Sequence, residues 1–440
     1  MKVWVVKTSE MLASDNSNGR VLRSGMIAQM LDARGHEVTW WMSTFDHANR
    51  RSRGAVDASL QYGSRGTIRM LHSPGYRASV SFGRLRDHIV WGRRFERAIA
   101  AEPVPDIILC AYPTIESAAI CARFGERHRV PVVVDLRDMW PDLFAELAPR
   151  VLRPLAWALL APLRSRAAEA LRSSTALFGI TDEFLEWGLR LAGRARGPFD
   201  ATFAQAYPLA NLEPAAAGEA AAARQFWDEH GISVSAAFNV VLIGSITGRR
   251  VEMEAVLAAA RALQHDASPV RFVIAGDGDD LEFYRQRARD CHNVVFSGWL
   301  RLGQIRELLA RAHLGLVPYR NTPDYIMSVP TKAAEYFAAG VPVATSLRGT
   351  LPRLLHERGC GRQFDAADPM TLVTLVRALR DDPAQRRELS DRAQQTFRSE
   401  FVAENVYARL IERLEMIART SNPLLGGSIA QYSLLSGVRN

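Results

Sequence analysis

The segment SVPTKAAEYFAAGVPV, which begins at Ser328, combines residue types that can bind a phosphate and a sugar hydroxyl together. Ser328 and Pro330 predict the start of a helix, whose first turn leaves backbone N–H groups free to donate to an anion. Lys332 lies in that turn and would add a full positive charge. Glu335 follows about one turn later, where its carboxylate could accept hydrogen bonds from both hydroxyls of a ribose. The spacing therefore predicts a nucleotide clamp, and the alternative is a solvent-facing glutamate on a surface helix.

The composition is that of an ordinary globular protein with a basic surface. The chain has 440 residues, which favours two domains, and 48% of them are hydrophobic against 23% charged. The formal net charge is +8, which favours anionic partners such as nucleotides, nucleic acid or an acidic membrane without choosing among them. The four cysteines form no CxxC pair, which argues against a zinc site or a disulfide framework and suits a reducing cytoplasm.

The sequence shows no segment that predicts export or membrane insertion. The apolar run in MKVWVVKTSE is four residues long, which is too short for a signal peptide. The most apolar stretch, LAWALLAPL, starts at Leu155 and falls far short of the ~20 residues needed to cross a bilayer. We therefore expect a protein of the cytoplasm or of the inner face of the cell membrane.

Runs of Val, Ile and Leu without polar alternation predict strands that are buried on both faces, as in a parallel sheet covered by helices. The first half of the chain has such runs in VWVV, HEVTWWMS, DIILCAY, VPVVVDLRD and ALFGIT, and the second half has them in FNVVLIGSI, VRFVIAGDG, NVVFSGWL, LGLVPYR and VPVATS. Helical patterns lie between the strands in both halves. The sequence therefore predicts an α/β protein of two Rossmann-like, doubly wound domains in series.

A stretch rich in Ala, Gly and Pro, from Arg194 to Ala223, is the predicted linker between the domains. It separates an N-terminal domain, predicted over residues 1–210, from a C-terminal domain over residues 225–395. Residues 396–421 are predicted as a C-terminal helix that packs back on the first domain, and residues 422–440 as a loose tail. Function is expected in the strand-to-helix loops, because open α/β sheets bind ligands at the carboxyl ends of their strands.

The opening segment resembles the donor-binding segment of a known enzyme family. It matches the pattern S-x-P-x-K-x-x-E-Y-x-A-x-G-x-P-V of the retaining nucleotide-sugar glycosyltransferases of family 4, which have the GT-B fold of two Rossmann-like domains facing each other across a cleft. The matching residues are Ser328, Pro330, Lys332, Glu335, Tyr336, Ala338, Gly340, Pro342 and Val343. The motifs VVLIGSI, FVIAGDGDD, NVVFSGWL, LGLVPYR and GCGRQFDAADP also follow the family order, so the resemblance covers most of the chain.

The resemblance implies how the donor nucleotide-sugar binds to the second domain. The glutamate that matches Glu335 holds the ribose, and the loop before it faces the donor sugar. Many family members carry a second glutamate eight residues earlier, where this sequence has Met327, so the contact with the sugar is unassigned. The donor-binding residues implied in this way are Gly19, Gly244, Ser245, Trp299, Leu300, Tyr319, Met327, Ser328, Val329, Pro330, Thr331 and Glu335.

The loop GSITGRR after the first strand of the second domain is implied to neutralise the donor diphosphate. An Arg/Lys pair follows this strand in the family and stabilises the leaving group, and Arg249 and Arg250 are in reach of that role beside Lys332. Arg250 is the better positional match, and Ser245 stands where an arginine is common. The alternative is that the two arginines lie in an exposed loop without a ligand.

The segment AGDGDD indicates neither a dinucleotide site nor a metal site. It lacks the G-x-G-x-x-G fingerprint, and the D-x-D of Asp277 and Asp279 lies between a strand and a helix, where turn geometry and N-capping explain it. We therefore expect no metal and no cofactor beyond a nucleotide-sugar co-substrate, with a UDP-sugar favoured over a GDP-sugar. The resemblance implies that SGWL binds the base through backbone groups and that Tyr319 lies near the cleft.

In the first domain the resemblance implies an acceptor site. The loop SDNSNGR, with Gly19 at the helix entry, borders the diphosphate and the acceptor. The segment DLRDMWPD resembles the D-x-x-D-x-W-P of the acceptor side, and Asp138 is the candidate that orients or deprotonates the acceptor hydroxyl. The alternative is that Asp138 caps the next helix. His47 and the arginines of STFDHANRRSR are candidates to approach a phosphorylated acceptor.

Two helical patterns, RLRDHIVWGRRFERAIA and APRVLRPLAWALLAPLRSRAAEALR, are rich in both apolar residues and arginine. They could dock on an anionic bilayer, where each basic residue adds ~1 kcal/mol. The alternative is a solvated face on ordinary core helices. Aromatic residues do not alternate with these arginines, so we expect no nucleic-acid partner.

These features predict a hexosyl- or N-acetylhexosaminyl-type glycosyltransferase, metal-independent and peripheral to the membrane, that moves a sugar with retention from a nucleotide-diphosphate donor. The acceptor would be a glycan or a polyprenyl-pyrophosphate-linked glycan in the assembly of a surface polysaccharide such as lipopolysaccharide or capsule. Two alternatives stay open: a sugar-nucleotide epimerase or hydrolase of the same fold, and a catalytically silent nucleotide-sugar-binding assembly partner.

Overall fold

The computed structural model describes residues 1–12, 15, 21–47, 49–77, 81–214, 216–233, 235–248 and 250–422. Two of the predicted site residues, Gly19 and Arg249, lie outside the described residues, as does the predicted tail from residue 423 onward.

The described strands and helices alternate along most of the chain. The strands are β1 (Lys2–Val6), β2 (Glu37–Ser43), β3 (Phe45–Asp46), β4 (Arg51–Ser52), β5 (Ala58–Tyr62), β6 (Gly66–Leu71), β7 (Ile107–Tyr112), β8 (Val132–Leu136), β9 (Ala176–Gly179), β10 (Ala201–Thr202), β11 (Phe238–Ile243), β12 (Val270–Ala275), β13 (Val294–Gly298), β14 (Leu314–Val317), β15 (Val343–Thr345) and β16 (Gly361–Gln363). The helices are α1 (Arg23–Ala33), α2 (Phe82–Ile99), α3 (Ile115–His128), α4 (Asp142–Glu146), α5 (Arg153–Ser173), α6 (Asp182–Ala192), α7 (Ala217–Glu229), α8 (Met253–Leu263), α9 (Leu281–Arg287), α10 (Leu302–Ala310), α11 (Pro323–Ile326), α12 (Thr331–Ala338), α13 (Thr350–Arg358), α14 (Met370–Asp381), α15 (Pro383–Thr396) and α16 (Ala403–Ser421).

Within the described chain, eight strands form one sheet and six form a second. The first has the order β10-β9-β8-β7-β1-β2-β6-β5 and is parallel except for β5, which pairs antiparallel with β6. The second has the order β13-β12-β11-β14-β15-β16 and is parallel throughout. In each sheet the chain winds outward on one side of its first strand and then returns to the other side. This is the doubly wound Rossmann arrangement, and the predicted fold class is confirmed.

Strand β11 shows why these sheets are covered by helices on both faces. Val241 and Ile243 pack in one apolar cluster, which includes residues of α12, whereas Val240 and Leu242 pack in another, which includes residues of α8 and α14. Successive side chains of a strand point to opposite faces of the sheet. An unbroken apolar run is therefore what a strand with two covered faces requires.

The chain divides into two compact units. The first comprises Met1–Phe203 together with the chain from Asn405 onward, and the second comprises Ala204–Glu404. The end of the predicted linker is helical, since α7 runs through it and buries Trp227 completely in the core of the second unit.

Helix α16 lies at the end of the described chain and belongs to the first unit. Its Glu415 accepts a hydrogen bond from His36 at a distance of 2.9 Å between Oε1 and Nε2. The Arg23 guanidinium lies over the ring of its Tyr407, 5.2 Å from the centroid. These contacts tie the helix to the segments beside β1 and β2.

Helix α5 is the longest of the described helices, and its N-terminal part leaves large apolar side chains in contact with water. Leu155 is 58% exposed and Leu159 is 72% exposed. The helix also contains Pro162 and several arginines. Among the described residues, no helix has both the length and the apolar content that crossing a bilayer demands.

Candidate functional site

The second sheet has its topological switch point between β11 and β14, where Val240 lies beside Leu314. Open α/β sheets bind ligands at the carboxyl ends of the strands at such a point. Gly244 and Ser245 follow β11 directly, and Tyr319 follows β14 after one intervening residue. The structure therefore brings three of the predicted donor-binding residues to the place where the topology predicts a ligand.

The loops after β11 and β14 are fastened to each other through their backbones. Val251 forms an antiparallel bridge with Tyr319, and the Arg320 N–H donates to the Arg250 carbonyl at 2.8 Å. The Arg250 side chain is exposed and makes no ion pair with another described residue. An unpaired guanidinium on an anchored backbone suits the binding of a phosphate.

Tyr319 is near both the residue predicted to bind the diphosphate, Arg250, and the residue predicted to bind the ribose, Glu335. Burial raises the pKa of its hydroxyl, and the charges of Tyr325, Arg250 and Glu335 act on it as well. Its ring also stacks on that of Tyr325, with centroids 4.5 Å apart. Arg250 and Glu335 therefore lie within electrostatic reach of the same side chain.

Helix α12 begins at Thr331, and Pro330 is its N-cap residue. The prediction that Ser328 caps this helix is wrong, because the Ser328 hydroxyl donates to the Tyr325 carbonyl at 3.4 Å. Among the described residues no side chain caps this end, so an anion would not have to displace one. The predicted stop is confirmed, since Gly340 follows the helix with a φ of +68°.

The centre of the candidate donor site is the pair formed by Lys332 and Glu335. The Lys332 Nζ lies 2.6 Å from the Glu335 Oε2. The Glu335 side chain is 1% exposed and that of Lys332 is 21% exposed, so the alternative of a solvent-facing glutamate is wrong. A buried carboxylate needs a partner to offset its loss of hydration, and Lys332 supplies one.

The remaining residues of the predicted donor segment lie around this pair. Met327 is the C-cap residue of α11 and is half-buried, as is Val329. Thr331 is exposed, and its hydroxyl donates to the Gln205 side chain at 2.8 Å. Met327 itself offers no carboxylate to a donor sugar.

The two predicted base-binding residues differ in their surroundings. Trp299 follows β13 and is 69% exposed, whereas Leu300 is 6% exposed and belongs to the core of the second unit. Leu300 can therefore offer only its backbone to a ligand. Trp299 has a free aromatic face, which suits stacking on a base.

The glycines of AGDGDD allow two loops of the second sheet to touch. The Gly276 N–H donates to the Gly298 carbonyl at 2.8 Å. A Cβ atom at Gly276, which has a φ of +139°, would lie 1.8 Å from the Gly244 carbonyl oxygen. Only glycine fits there, and the contact holds the turn after β12 against the turn after β11.

Two acidic residues of the same segment accept hydrogen bonds from backbone N–H groups of the loops. Asp277 accepts from the Gly278 N–H at 2.8 Å, which confirms the predicted turn. The N-cap position of α9 belongs to Asp280 and not to the D-x-D, which corrects the predicted capping. The Asp280 carboxylate accepts from the Gly248 N–H at 2.7 Å and so braces the loop after β11, a role that the sequence alone did not reveal. Among the described residues no group of three or more His, Cys, Asp or Glu side chains could hold a metal ion.

The first sheet has its switch point between β1 and β7, where Val6 lies beside Cys110. Lys7 follows β1, and the next strand after β7, β8, leads to the predicted acceptor-side segment. Asp138 is half-buried, and its Oδ1 accepts from the Met139 N–H at 2.7 Å. The alternative that it caps the next helix is wrong, because α4 has Pro141 at its N-cap.

A buried network of charges that was not predicted supports this end of the first sheet. Arg23 donates through Nε and Nη2 to both oxygens of Asp135, each at 2.9 Å. Arg137 donates to the same carboxylate at 2.8 Å and contacts Glu10 at 3.4 Å. Burial alone would raise the pKa of Asp135, but Arg23 and Arg137 lower it to about 2. The network fixes the backbone that carries Asp138.

A cavity of about 80 Å³ lies in the first unit beside this switch point. It is lined by residues at the ends of β1, β2, β3 and β7, by Tyr76, which precedes α2, and by residues of α2 itself. Its titratable lining residues are Lys7, His47, Tyr76, Arg84, Asp87 and His88. The sequence predicted a role for His47 here and missed the others.

The arginines predicted to accompany His47 do not share its position. Arg53 pairs with Asp15, whose Oδ1 accepts from the Arg53 Nε at 2.7 Å. Arg50 and Arg51 are exposed. Within the described part of this segment, Ser43, Phe45 and His47 line the cavity and these arginines do not.

Models of glycosyltransferase families match both units. The model described as "Glycosyl transferase 4-like domain" matches residues 19–196, and the model described as "Glycosyl transferases group 1" matches residues 237–382. The two matches together cover most of the chain. A search of the curated proteins found no match.

Solved structures of similar fold align over nearly the whole chain. HepE from Anabaena in complex with UDP has a TM-score of 0.64 and 14% identity, covering 94% of this chain and 100% of that chain. The α,α-trehalose 6-phosphate synthase from Burkholderia multivorans has a TM-score of 0.69 and 14% identity, covering 96% and 100%. WaaG, a glycosyltransferase involved in lipopolysaccharide biosynthesis, has a TM-score of 0.63 and 16% identity, covering 96% and 99%. At these identities the likeness is one of fold.

Proposed function

The chain belongs to the family 4 glycosyltransferases with the GT-B fold, and we propose that it transfers a sugar with retention from a nucleotide-diphosphate sugar to a glycan or lipid-linked acceptor. The observation that carries the proposal is the buried pair of Lys332 and Glu335 at the start of α12. A phosphate would bind at the helix start and at Lys332, and the ribose hydroxyls would bind at Glu335. Burying charged groups costs free energy, and ionisable groups in such surroundings are concentrated at functional sites. We therefore infer that this pair binds a ligand.

A UDP-sugar is the donor that we favour over a GDP-sugar. The solved structure of the Anabaena protein contains UDP, which supports this choice. The exposed Trp299 offers a stacking surface for the base, and the donor sugar, a hexose or an N-acetylhexosamine, would face the run from Met327 to Thr331.

The chemistry that we propose is stabilisation of the departing nucleoside diphosphate. The bond between the anomeric carbon and the diphosphate oxygen breaks, and negative charge develops on that oxygen. Lys332, Arg250 and the start of α12 would bear this charge, with Arg249 added on the sequence pattern. Arg250 and Arg249 would add to Lys332, whose charge Glu335 partly offsets, and the proposal includes no metal.

The acceptor hydroxyl forms the new bond to the anomeric carbon and loses its proton. We assign orientation or deprotonation of this hydroxyl to Asp138, which is half-buried at the carboxyl end of β8. The charges around it are fixed by the pair of Asp135 and Arg137.

Contact with an anionic membrane is part of the proposal. Val151, Leu155 and Leu159 are 87%, 58% and 72% exposed around the start of α5, and Arg150 is exposed among them. Apolar side chains next to arginine suit the interface of an anionic bilayer. A lipid-linked acceptor would be reached there, at the inner face of the cell membrane, in the assembly of a surface polysaccharide such as lipopolysaccharide or capsule.

The test is transfer with defined donors and acceptors. The protein is incubated with UDP- and GDP-sugars and a panel of glycan and polyprenyl-diphosphate-linked acceptors, and the product's anomeric configuration is read by NMR. We expect release of UDP that depends on acceptor, with retention. Asp138→Asn should lower transfer about 100-fold or more while UDP still binds. Glu186→Gln, an exposed carboxylate of the first unit, should have no effect.

Other outcomes contradict the proposal. Consumption of the donor without acceptor would indicate a hydrolase or epimerase of the same fold. Binding of the donor without turnover on the whole panel would indicate a silent binding partner, for which the absence of an acid at Met327 is the supporting feature. Full transfer by Asp138→Asn would remove only the role of that residue.

A further inference from the structure

The cavity of the first unit has a lining that suits an anion. Lys7 follows β1, His47 follows β3, and Arg84 and His88 come from α2. Segments that are far apart in the sequence therefore supply either a positive charge or an N–H donor to one small space.

His88 is a buried polar side chain whose ring nitrogens have no hydrogen-bond partner among the described residues. It is 6% exposed, and its ring contacts those of Tyr76 and Trp140, with centroids 6.3 and 5.6 Å away. Burial, followed by the positive charge of Arg84, lowers the pKa of His88 to about 3. It is therefore neutral at pH 7, with one N–H to donate. Its unpartnered nitrogens are not fully shut off from the cavity, so this N–H is available to an oxyanion ligand.

The carboxylate in the lining does not neutralise these cations fully. The Asp87 Oδ1 accepts from the Gly75 N–H at 2.7 Å, and Asp87 is 4% exposed. Burial raises the pKa of Asp87, and even a charged Asp87 supplies one negative charge against the two positive charges of Lys7 and Arg84. The cavity is therefore positive on balance.

Arg84 is held in place by aromatic rings. Its guanidinium lies 4.3 Å from the centroid of the Trp140 ring and 5.6 Å from that of Tyr76. The Tyr76 hydroxyl is 2.7 Å from the His47 Nδ1. A guanidinium held against two rings in this way loses less order when an oxyanion binds.

We propose that this cavity binds a phosphate or diphosphate group of the acceptor, an assignment that rests on the proposed function in placing the acceptor on the first unit. The volume of about 80 Å³ is the room of roughly two to three water molecules. It suits one anionic group, because whole small-molecule ligands occupy about 300–1,000 Å³. The rest of the acceptor lies outside the cavity.

The cavity is also close to the candidate base. Lys7 lines it, and the charges of Arg137, Glu10, Asp138 and Asp135 act on Lys7. An acceptor anchored by its anionic group at Lys7 would therefore hold its remaining part near Asp138. Binding and chemistry on the acceptor side would then share one cluster of charges.

The test is calorimetric titration with inorganic pyrophosphate, in saturating UDP so that the donor site is occupied. Arg84→Gln is compared with Arg86→Gln, which removes the same charge from an exposed position of the same helix. A second pair is Lys7→Met and Lys2→Met, the latter at an exposed position. Circular dichroism of each variant checks that it is folded.

We expect Arg84→Gln and Lys7→Met to weaken pyrophosphate binding at least tenfold, and Arg86→Gln and Lys2→Met to stay within twofold of the wild type. Equal affinity within each pair would overturn the proposal. So would the absence of any pyrophosphate binding to the wild type. If one of the cavity variants does not fold, the other pair decides.

The same titrations separate this proposal from the proposed function. Arg84→Gln should bind UDP as the wild type does, since it lies in the first unit and the donor residues lie in the second. A wild type that does not bind UDP would contradict the proposed function. In that case the difference in pyrophosphate affinity between Arg84→Gln and Arg86→Gln would still test the anion site.

A further arm identifies the source of the anion. Farnesyl diphosphate is titrated beside pyrophosphate, and Phe82 and Leu85, exposed on α2 near the cavity residues, are the apolar side chains that its tail could contact. Tighter binding of farnesyl diphosphate, at least fivefold, supports a lipid-linked acceptor. Equal binding of the two supports a soluble sugar phosphate, and both results support the anion site.

Discussion

Lysine is so rare in this chain that its positions are informative. Of the 55 Lys and Arg residues, three are lysines: Lys2, Lys7 and Lys332. Lys2 is exposed, whereas Lys7 and Lys332 are half-buried at the ligand-binding ends of the two sheets. An ammonium group is strongly hydrated and costly to bury. Its retention at these two places supports an anion site in each unit, and this signal was available in the sequence.

The first prediction concerns the stability cost of Lys7. Burial and Arg137 lower the pKa of Lys7 from 10.5 to about 8, so below pH 8 the folded protein carries a charge that its surroundings disfavour. We expect Lys7→Met to raise the free energy of unfolding at pH 7 by about 1–3 kcal/mol. Between pH 8 and 10.5 Lys7 is protonated in the unfolded chain but not in the folded one, so the free energy of unfolding of the wild type rises with pH. The advantage of Lys7→Met over the wild type should therefore shrink across this range.

Urea unfolding at pH 7 and pH 9.5, followed by tryptophan fluorescence, measures this difference. Lys2→Met should change stability at neither pH, because that side chain is exposed. A Lys7→Met protein that is less stable than the wild type at pH 7 would show that nearby carboxylates more than compensate the buried charge.

At the scale of elements, the donor site depends on contacts between turns. The turns after β11 and β12 meet at Gly244 and Gly276, and Asp280 accepts a hydrogen bond from Gly248 across the same contact. The loop that presents Ser245 and Arg250 is therefore held by the neighbouring connection and not by its own residues alone.

The second prediction concerns Gly276. A methyl group there would lie 1.8 Å from the Gly244 carbonyl oxygen, so backbone must move. We expect Gly276→Ala to lower the free energy of unfolding by about 2–4 kcal/mol and to weaken UDP binding. Gly218→Ala is the matched control, since no atom lies within 4 Å of the added methyl, and it should raise stability by about 0.5–1 kcal/mol within α7. Unchanged UDP affinity in Gly276→Ala would contradict the role of this contact.

The elements that the sequence predicted are those with a strong local pattern. The unbroken apolar run of β11 predicted a doubly covered strand, and Gly340 predicted the end of α12. Strand β5 was missed because its five residues are exposed or half-buried and carry no apolar run. The start of α12 was placed at Ser328 because a serine and a proline suit that position, whereas the hydroxyl bonds to α11 instead.

At the scale of the molecule, the chain leaves the first unit after Phe203 and returns to it at Asn405. Helix α16 completes the first unit through buried leucines such as Leu410 and Leu414 and through the contact of Glu415 with His36. The first unit is therefore assembled from both ends of the described chain.

The third prediction concerns this attachment. The hydrogen bond from His36 lowers the pKa of Glu415 below its ordinary value. The bond therefore stabilises the fold fully above the pKa that Glu415 has in the unfolded chain. This stabilisation is lost as the pH falls through the lower pKa that Glu415 has in the folded protein. We expect Glu415→Gln to lower the free energy of unfolding by about 0.5–1.5 kcal/mol at pH 7 and to have less effect near pH 4. Glu412→Gln, whose side chain is 62% exposed, should change it little. An effect of Glu415→Gln that is equal at both pH values would contradict the account.

The two-unit architecture followed from the sequence because strands β1, β2, β7, β8 and β9 and strands β11 to β15 each carry their own apolar signal, although β6 was not predicted. The cavity of the first unit did not, because its lining comes from the ends of β1, β2, β3 and β7 and from α2. No local pattern in a single sequence predicts that Lys7 and His88 line the same cavity. The buried network of Arg23 and Asp135 was hidden for the same reason, since 112 positions separate them.

The central claim is that Glu335 holds the ribose of a nucleotide diphosphate, and titration of UDP into the wild type and Glu335→Ala by calorimetry tests it most directly. We predict binding to the wild type and a loss of at least tenfold in affinity in Glu335→Ala. The exposed Glu357, also in the second unit, provides the control Glu357→Ala, which should bind as the wild type does. Glu335→Ala binding UDP as tightly as the wild type, or a wild type that binds neither UDP nor GDP, would contradict the account.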